Sequence, residues 1–160
     1  MKKIVFSIGE ESINQAIKQI EEYKAEMQRK ADKLTSILAD AGLEEARTIF
    51  ATAKYDGTND VEVEKTKIKN GYVVTASGKA VCFIEFGSGV IGYGHPEADE
   101  FGMGPSTWSL SDQGKGHWDN PPWYFAHGQK SSGNPPAMAM WKAEQEIKRK
   151  IKSAVKEVFK

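Results

Sequence analysis

Three histidines with nearby carboxylates are the first residues in this chain whose types suggest chemistry. They share one segment, residues 87–133, hereafter called the excursion: His95, His117 and His127, with Glu97, Asp99 and Asp119 close by in sequence. Imidazole and carboxylate groups are common zinc ligands. Their spacing, however, matches neither H-E-x-x-H nor a C-x-x-C pair. The sequence therefore predicts no metal site and no cofactor.

Hydrolysis is the second chemistry that the excursion suggests. Serines 106, 109 and 111 precede His117 and Asp119, and such a set contains a nucleophile, a base and an orienting acid. No G-x-S-x-G elbow is present to expose a serine. Glu85 and Asp119 could be paired as the two carboxylates of a glycosidase, but no pattern favours that pairing. No catalytic residue is predicted, and a small hydrolase with its site in the excursion stays an alternative.

Aromatic side chains are the strongest signal in the excursion. Seven of them are predicted to form a subunit interface: Tyr93, Phe101, Trp108, Trp118, Trp123, Tyr124 and Phe125. Disordered segments are poor in aromatics, so the excursion is expected to be ordered, or to order against a partner. Aromatic residues also dominate the centres of protein interfaces. A glycan-binding module that stacks sugars on Trp118 and Trp123 is a further alternative.

The elements before the excursion read as one long amphipathic helix and a small sheet. Ile4, Phe6 and Ile8 alternate as in a short strand, and Ser12 with Gln15 resembles a capping box. An apolar stripe follows at helical spacing, from Ile13 to Ala41, with Gly42 predicted to interrupt the helix. Such a stripe suits a helix lying on a sheet better than a coiled coil.

Three segments between residues 61 and 86 predict an antiparallel meander. The first segment has one solvent-exposed face, and the second follows the hairpin signal Asn70-Gly71. The third, "AVCFIEF", is the most apolar and is predicted to be the central strand of the sheet. Cys82 is expected to be buried there. The predicted core of the protomer is the set Ile17, Ile20, Leu34, Leu38, Val81 and Phe83.

A second helix is predicted after the excursion. Asn134 suits an N-cap and Pro135 a first turn, and an apolar stripe at helical spacing continues to Val158. The last twenty residues carry a net charge of +4 and the excursion carries −3. Opposite charges on two segments are compatible with head-to-tail contact between copies, although solvated surfaces explain them equally well.

Composition limits the classes of function. The chain has 160 residues and a formal net charge of zero. This length suits one domain, and the balanced charge disfavours nucleic acid as a main partner. A single cysteine excludes an intrachain disulfide and fits a reducing compartment. No apolar run approaches the ~18 residues of a membrane span, so no membrane partner is expected.

The order of these parts resembles the small tail-completion or head–tail joining proteins of tailed bacteriophages and prophages. In that family an amphipathic helix and a small meander lead to a Glu-Phe-Gly-Thr-Gly-like run, matched here by Glu85 to Gly89 in "FIEFGSG". A proline-led entry to a C-terminal helix follows, matched by "GNPPAMAMWKAEQEIKRKI". The likeness runs from about Ile4 to Lys152, with a wider gap between the two motifs than in compact members.

The resemblance implies a structural virion protein of the neck or tail without enzyme activity. It implies one α+β domain over residues 1–160, in which a small antiparallel sheet is packed by a long N-terminal and a C-terminal helix, with the excursion as an ordered insertion. The expected partners are copies of itself in a ring, taken to be a hexamer, and a tail terminator, tail tube or head-closure protein. DNA would at most pass through the ring, and assembly would take place in the cytoplasm of the bacterial host.

Overall fold

The computed structural model describes residues 9–53, 59–89, 95–97, 100, 115–117, 120–124, 130–131 and 133–160. The strand predicted over residues 3–8 lies outside them. The main elements are helix α1 (Glu10–Thr52), strands β1 (Glu62–Ile68) and β2 (Gly71–Ser77), the short helix α2 (Val81–Glu85) and helix α3 (Ala139–Val158). Among the described residues between α2 and α3 there are five short strands: β3 (Ser88–Gly89), β4 (Lys115–His117), β5 (Asn120–Tyr124), β6 (Lys130–Ser131) and β7 (Gly133–Asn134).

Helix α1 is continuous over 43 residues. At a rise of about 1.5 Å per residue it is about 65 Å long. It begins at Glu10 after Gly9, two residues before the predicted cap at Ser12. The predicted interruption at Gly42 is wrong. A Cβ atom on Gly42 would come within 2.6 Å of Ile147 Cδ1, so this glycine lets a second helix approach closely rather than ending the first.

Helix α3 packs antiparallel along the C-terminal part of α1. Its middle lies beside Gly42, and its end lies beside Lys30, whose Nζ is 5.8 Å from the centre of the Phe159 ring. The prediction that this helix starts at Asn134 with a proline in its first turn is wrong. Asn134 pairs in β7, and α3 begins only at Ala139, after Met138 in a left-handed conformation with φ 57°.

Strands β1 and β2 form an antiparallel hairpin in the register Glu62↔Ser77 to Ile68↔Gly71. The predicted hairpin is confirmed, but its two-residue turn is Lys69-Asn70 rather than Asn70-Gly71, because Gly71 pairs with Ile68. Gly71 has φ 150°, a value that favours glycine. β1 is anchored to α1, because Arg47 Nε donates to the Val63 carbonyl at 2.9 Å and Lys67 Nζ lies 2.9 Å from Asp32 Oδ2.

The third strand of the predicted meander is wrong, because Val81–Glu85 forms the single-turn helix α2. The run "AVCFIEF" lacks the period-two alternation of a half-buried strand, and a short apolar run does not distinguish a strand from a helix. Within this turn Cys82 is exposed, not buried as expected. The fold is therefore α+β with a two-stranded hairpin between two packed helices.

The core lies at the C-terminal end of α1 and is built largely from small residues. Its buried members are Ala46, Phe50, Val63, Ala80, Ile84, Ala139 and Ala143. The prediction that Ile17 and Ile20 lie there is wrong. They are 50% and 54% exposed, because α3 ends near Lys30 and does not reach them. The other four predicted core residues are half-buried: Leu34, Leu38, Val81 and Phe83.

No helix among the described residues is both long enough and apolar enough to cross a bilayer.

Phe50 should contribute most to the core, since it is 1% exposed in the cluster to which α1, β1, α2 and α3 all contribute. We expect Phe50→Ala to lower the free energy of unfolding by ~3–5 kcal/mol through lost burial and a new cavity. Phe159→Ala is the matched control, because Phe159 is 43% exposed at the end of α3. Urea denaturation measures the free energy of unfolding of both variants. Equal losses would contradict the assignment of Phe50 to the core.

Candidate functional site

Most of the predicted interface residues lie outside the described part of the chain. This holds for Tyr93, Phe101, Trp108, Trp118 and Phe125. The backbones of Trp123 and Tyr124 lie in β5, which pairs antiparallel with β4 and β6. Trp123 is opposite Ser131 in this sheet, and Tyr124 is opposite Lys130. The interface role of all seven side chains stays a prediction.

The base of the excursion is well defined and is the candidate site. β3 and β7 pair antiparallel there, with Ser88 opposite Asn134 and Gly89 opposite Gly133, so the chain leaves and returns at one place. Gly87 turns the chain out of α2 with φ 77°, a conformation that glycine adopts without steric cost. The excursion is thus an insertion with both ends fixed between α2 and α3.

The Glu85 carboxylate lies at the N-terminus of α3, and the residue is 5% exposed. Its Oε2 accepts the Met140 N–H at 2.8 Å, and its Oε1 accepts the Trp141 N–H at 3.0 Å. The first N–H groups of a helix have no partner within that helix, and a negative charge there also interacts favourably with the helix dipole. Glu85 therefore caps α3 from a distant position in the sequence.

Two backbone hydrogen bonds also join α2 to the segment that enters α3, and here that segment is again the donor. Ala137 N–H donates to the Ile84 carbonyl at 2.8 Å, and Met138 N–H donates to the Glu85 carbonyl at 3.2 Å. The last carbonyls of α2 are therefore satisfied by the segment that enters α3. These bonds, with the Lys142 N–H bond to the Met138 carbonyl at 2.9 Å, hold Met138 in its left-handed conformation.

His95 completes the site from within the excursion. Its Nδ1 accepts the Glu97 N–H at 3.1 Å. Nε2 is therefore left to carry a proton and to donate it to Glu85 Oε1, also at 3.1 Å. The ring lies against Phe86, with centroids 4.5 Å apart and a 55° tilt. The His95 side chain is 1% exposed, so the start of the excursion is held into the core.

The bonding pattern of Glu85 and His95 fits a structural role. The Glu85 carboxylate accepts three hydrogen bonds, and both ring nitrogens of His95 are engaged. A general base needs access to a substrate proton, and a metal ligand needs an unshared nitrogen lone pair. Neither is offered here while these bonds persist.

Asp60 positions the turn that carries Glu85. Its Oδ2 accepts the Lys79 N–H at 2.8 Å and its Oδ1 accepts the Ala80 N–H at 3.0 Å, immediately before α2. These two backbone hydrogen bonds, that of Lys79 first, lower the pKa of the Asp60 carboxyl below its ordinary value. Gly78 at φ 141° permits the contact, because a Cβ there would lie 2.6 Å from the Asp60 carbonyl oxygen.

The alternative enzyme sites receive no support from the described residues. Within that part of the chain no cluster of three or more His, Cys, Asp or Glu side chains could hold a metal ion. Serines 106, 109 and 111 and Asp119 lie outside it, and for His117 only the backbone is described. The hydrolase and the glycan-binding module therefore stay alternative hypotheses.

Sequence reasoning misses the capping role of Glu85, although a signal is present. A single carboxylate stands between Ile84 and Phe86 in an apolar run, and a buried charge requires hydrogen-bonding partners. Local spacing points to Asn134 as the cap of the last helix, but the cap comes from residue 85 instead. Long-range capping of this kind leaves no local spacing pattern to detect.

Comparisons with family models, curated proteins and solved structures give no significant match to this chain.

Glu85 is expected to be essential for the stability of α3. Glu85→Ala would leave the Met140 and Trp141 amides and the His95 ring without their acceptor, all in a buried site. We expect the free energy of unfolding to fall by ~3–5 kcal/mol. Hydrogen exchange should show the loss first in the opening turn of α3.

The matched control for this experiment is a pair of isosteric changes. Glu85→Gln places an amide donor against backbone donors and should also destabilise, whereas Glu64→Gln at an exposed position of β1 should not. If Glu85→Gln is as stable as Glu64→Gln, the cap does not depend on the negative charge.

The lowered pKa of Asp60 predicts that this residue stabilises the fold more at neutral pH than at acidic pH. Because its pKa is lowered in the folded protein, its stabilisation is present above the unfolded pKa and is lost as pH falls through the folded value. The difference in urea midpoint between wild type and Asp60→Asn should therefore be present at neutral pH and shrink below pH 3.8, the ordinary pKa of an aspartate. Glu62→Gln, exposed on β1, is the charge-neutralising control. A difference that grows on acidification would contradict the assignment.

Proposed function

We propose that this protein is a structural component of a tailed phage or prophage, forming a ring at the neck that completes the tail or joins it to the head. The protomer would assemble in the cytoplasm of the bacterial host and act in the virion. Its partners would be further copies of itself, with a hexamer as the expected ring, and adjoining neck or tail proteins. No catalytic step is part of this function.

The observation that carries the proposal is the contact between the two motifs of the resemblance. Glu85 of the Glu-Phe-Gly-Ser-Gly run and Met140 at the start of the C-terminal helix are 55 residues apart, yet the Glu85 carboxylate accepts the Met140 N–H directly. The two motifs on which the resemblance rests are therefore parts of one structural unit.

The position of the excursion also supports an assembly role. It is inserted between two elements that are tied together without it, through Ile84 to Ala137 and Glu85 to Met140. The domain can therefore present a long segment to a neighbour while its own core stays closed. Heterologous contacts of this type form rings when the rotation between subunits closes.

The aromatic residues of the excursion supply the test. Trp123→Ala should leave the far-UV circular dichroism of the protomer unchanged but weaken assembly by ~2 kcal/mol or more per contact, as at interface hot spots. Trp123→Phe retains an aromatic ring and should weaken assembly less. Sedimentation velocity measures the oligomer, and complementation of a phage lacking the gene measures particle infectivity.

Two outcomes would count against this function. Unfolding of the protomer by Trp123→Ala would place this tryptophan in the core. Assembly and infectivity equal to wild type would give the excursion another purpose, and tryptophan fluorescence quenching by sugars would then test the glycan-binding alternative.

A further inference from the structure

The N-terminal part of α1 presents an apolar stripe whose large side chains are exposed, while the small Ala16 between them is buried. We call residues 10–28 the arm; it precedes Lys30, beside which α3 ends, and it is about 28 Å long. Four large apolar residues share one face of the arm by helical spacing. They are Ile13, Ile17, Ile20 and Tyr23, which are 42%, 50%, 54% and 44% exposed. Such a group exceeds the scattered exposure that is normal for a surface.

Helix α3 carries a second exposed apolar stripe, which adjoins its buried residues. Ile151, Val155 and Phe159 follow one another at intervals of four residues and are 45%, 38% and 43% exposed. They are distinct from Ala143, Ala154 and Val158, which are buried. The apolar face of α3 is thus wider than the part of it that is buried in the protomer. Phe159 lies at the edge of the contact with α1, where Lys30 Nζ is 5.8 Å from the centre of its ring.

Charge distinguishes the two stripes. The arm contains five acidic and two basic residues, net −3, whereas residues 148–160 contain six basic and one acidic residue, net +5. Glu10 and Glu21 lie three and four residues from Ile13 and Ile17, at neighbouring positions on the helix surface, and both are exposed. Lys152 and Lys156 lie three residues before Val155 and Phe159, and both are also exposed.

This charge pattern selects one pairing among copies of the chain. Arm against arm would bring two acidic surfaces together, and α3 against α3 would bring two basic ones together, both of which are unfavourable. The arm against α3 joins opposite charges and also buries both apolar stripes. The two surfaces are of comparable length, since residues 148–160 span roughly 20 Å.

We propose that the arm of one copy packs on the exposed apolar stripe of α3, within residues 148–160, of the next copy. The contact is heterologous, because each chain contributes its arm to one neighbour and its α3 to the other. A repeated contact of this kind produces a ring or a filament, depending on whether the rotation closes. This contact would supply the surface through which the proposed homo-oligomer forms. The inference rests on the proposed function only in assuming that a second copy of the chain binds there.

Charge reversal on each surface tests the pairing. Glu10→Lys with Glu21→Lys places basic residues on the arm, and Lys152→Glu with Lys156→Glu places acidic residues on α3. Each double variant should self-associate at least about tenfold more weakly than wild type at low ionic strength, since like charges then meet. Both should unfold at the wild-type temperature, because all four positions are exposed.

Recombining the two reversals gives the sharpest readout. An equimolar mixture of the two double variants should associate more strongly than either variant alone, because each reversed surface meets its complement on the other chain. The quadruple variant, with both surfaces reversed in one chain, should recover self-association. Analytical ultracentrifugation of each variant, the mixture and the quadruple variant completes the set.

The control has the same change in charge at a different place. Glu62→Lys with Glu64→Lys alters two exposed positions of β1 and should associate like wild type. If reversal of the arm or α3 leaves a wild-type oligomer intact, the arm–α3 contact is overturned while the ring stands. If the reversals weaken association but recombination does not restore it, the pairing is also overturned. A wild-type protein that stays monomeric overturns this contact, whereas loss of infectivity without the gene tests the neck function separately.

Discussion

The fold depends on one carboxylate, that of Glu85, at the N-terminus of α3. It accepts two backbone N–H groups of that helix and the Nε2 proton of His95, and the Glu85 main-chain carbonyl accepts the Met138 N–H. Three segments that are distant in sequence therefore meet at one buried charge. Without it, α3 would begin with unpaired donors against the core, and both ends of the excursion would lose their anchor.

Close approach of the helices follows from the small residues between them. Gly42, Ala46, Ala139 and Ala143 allow α3 to lie directly on α1, and Phe50 fills the space where the hairpin joins them. The core is consequently short and lies at one end of α1. Because α3 runs antiparallel for only 20 residues, the other end of α1 remains uncovered by the described chain. The same packing that stabilises the protomer thus produces the exposed arm.

Sequence patterns predict the elements that local interactions determine and fail where distant contacts decide. The long helix, the hairpin and the last helix each follow from periodicity or turn chemistry in a short window. The prediction of a strand at Val81–Glu85 fails because its helical state depends on Asp60 and on Glu85 reaching α3, which no local window contains. Intrinsic propensity predicts a helix end at Gly42, whereas packing against Ile147 requires a glycine within the helix. Exposure of Ile17 and Ile20 could not be foreseen, since periodicity identifies an apolar face but not what covers it.

Buried polar groups that are hydrogen-bonded within the fold differ from apolar side chains that remain exposed to water. This difference indicates which surfaces should be tested for a function. Among the described residues the buried polar side chains, Glu85 and His95, have their hydrogen-bonding groups occupied by the fold itself. A group that is required as a helix cap cannot also donate or accept a proton during turnover without loosening the structure. Among the described residues, the large side chains still in contact with water include the exposed apolar stripes of the arm and of α3. Removing apolar surface of this kind from water by association lowers the free energy. The exposed apolar stripes are therefore the surfaces on which the proposed association between copies would rest.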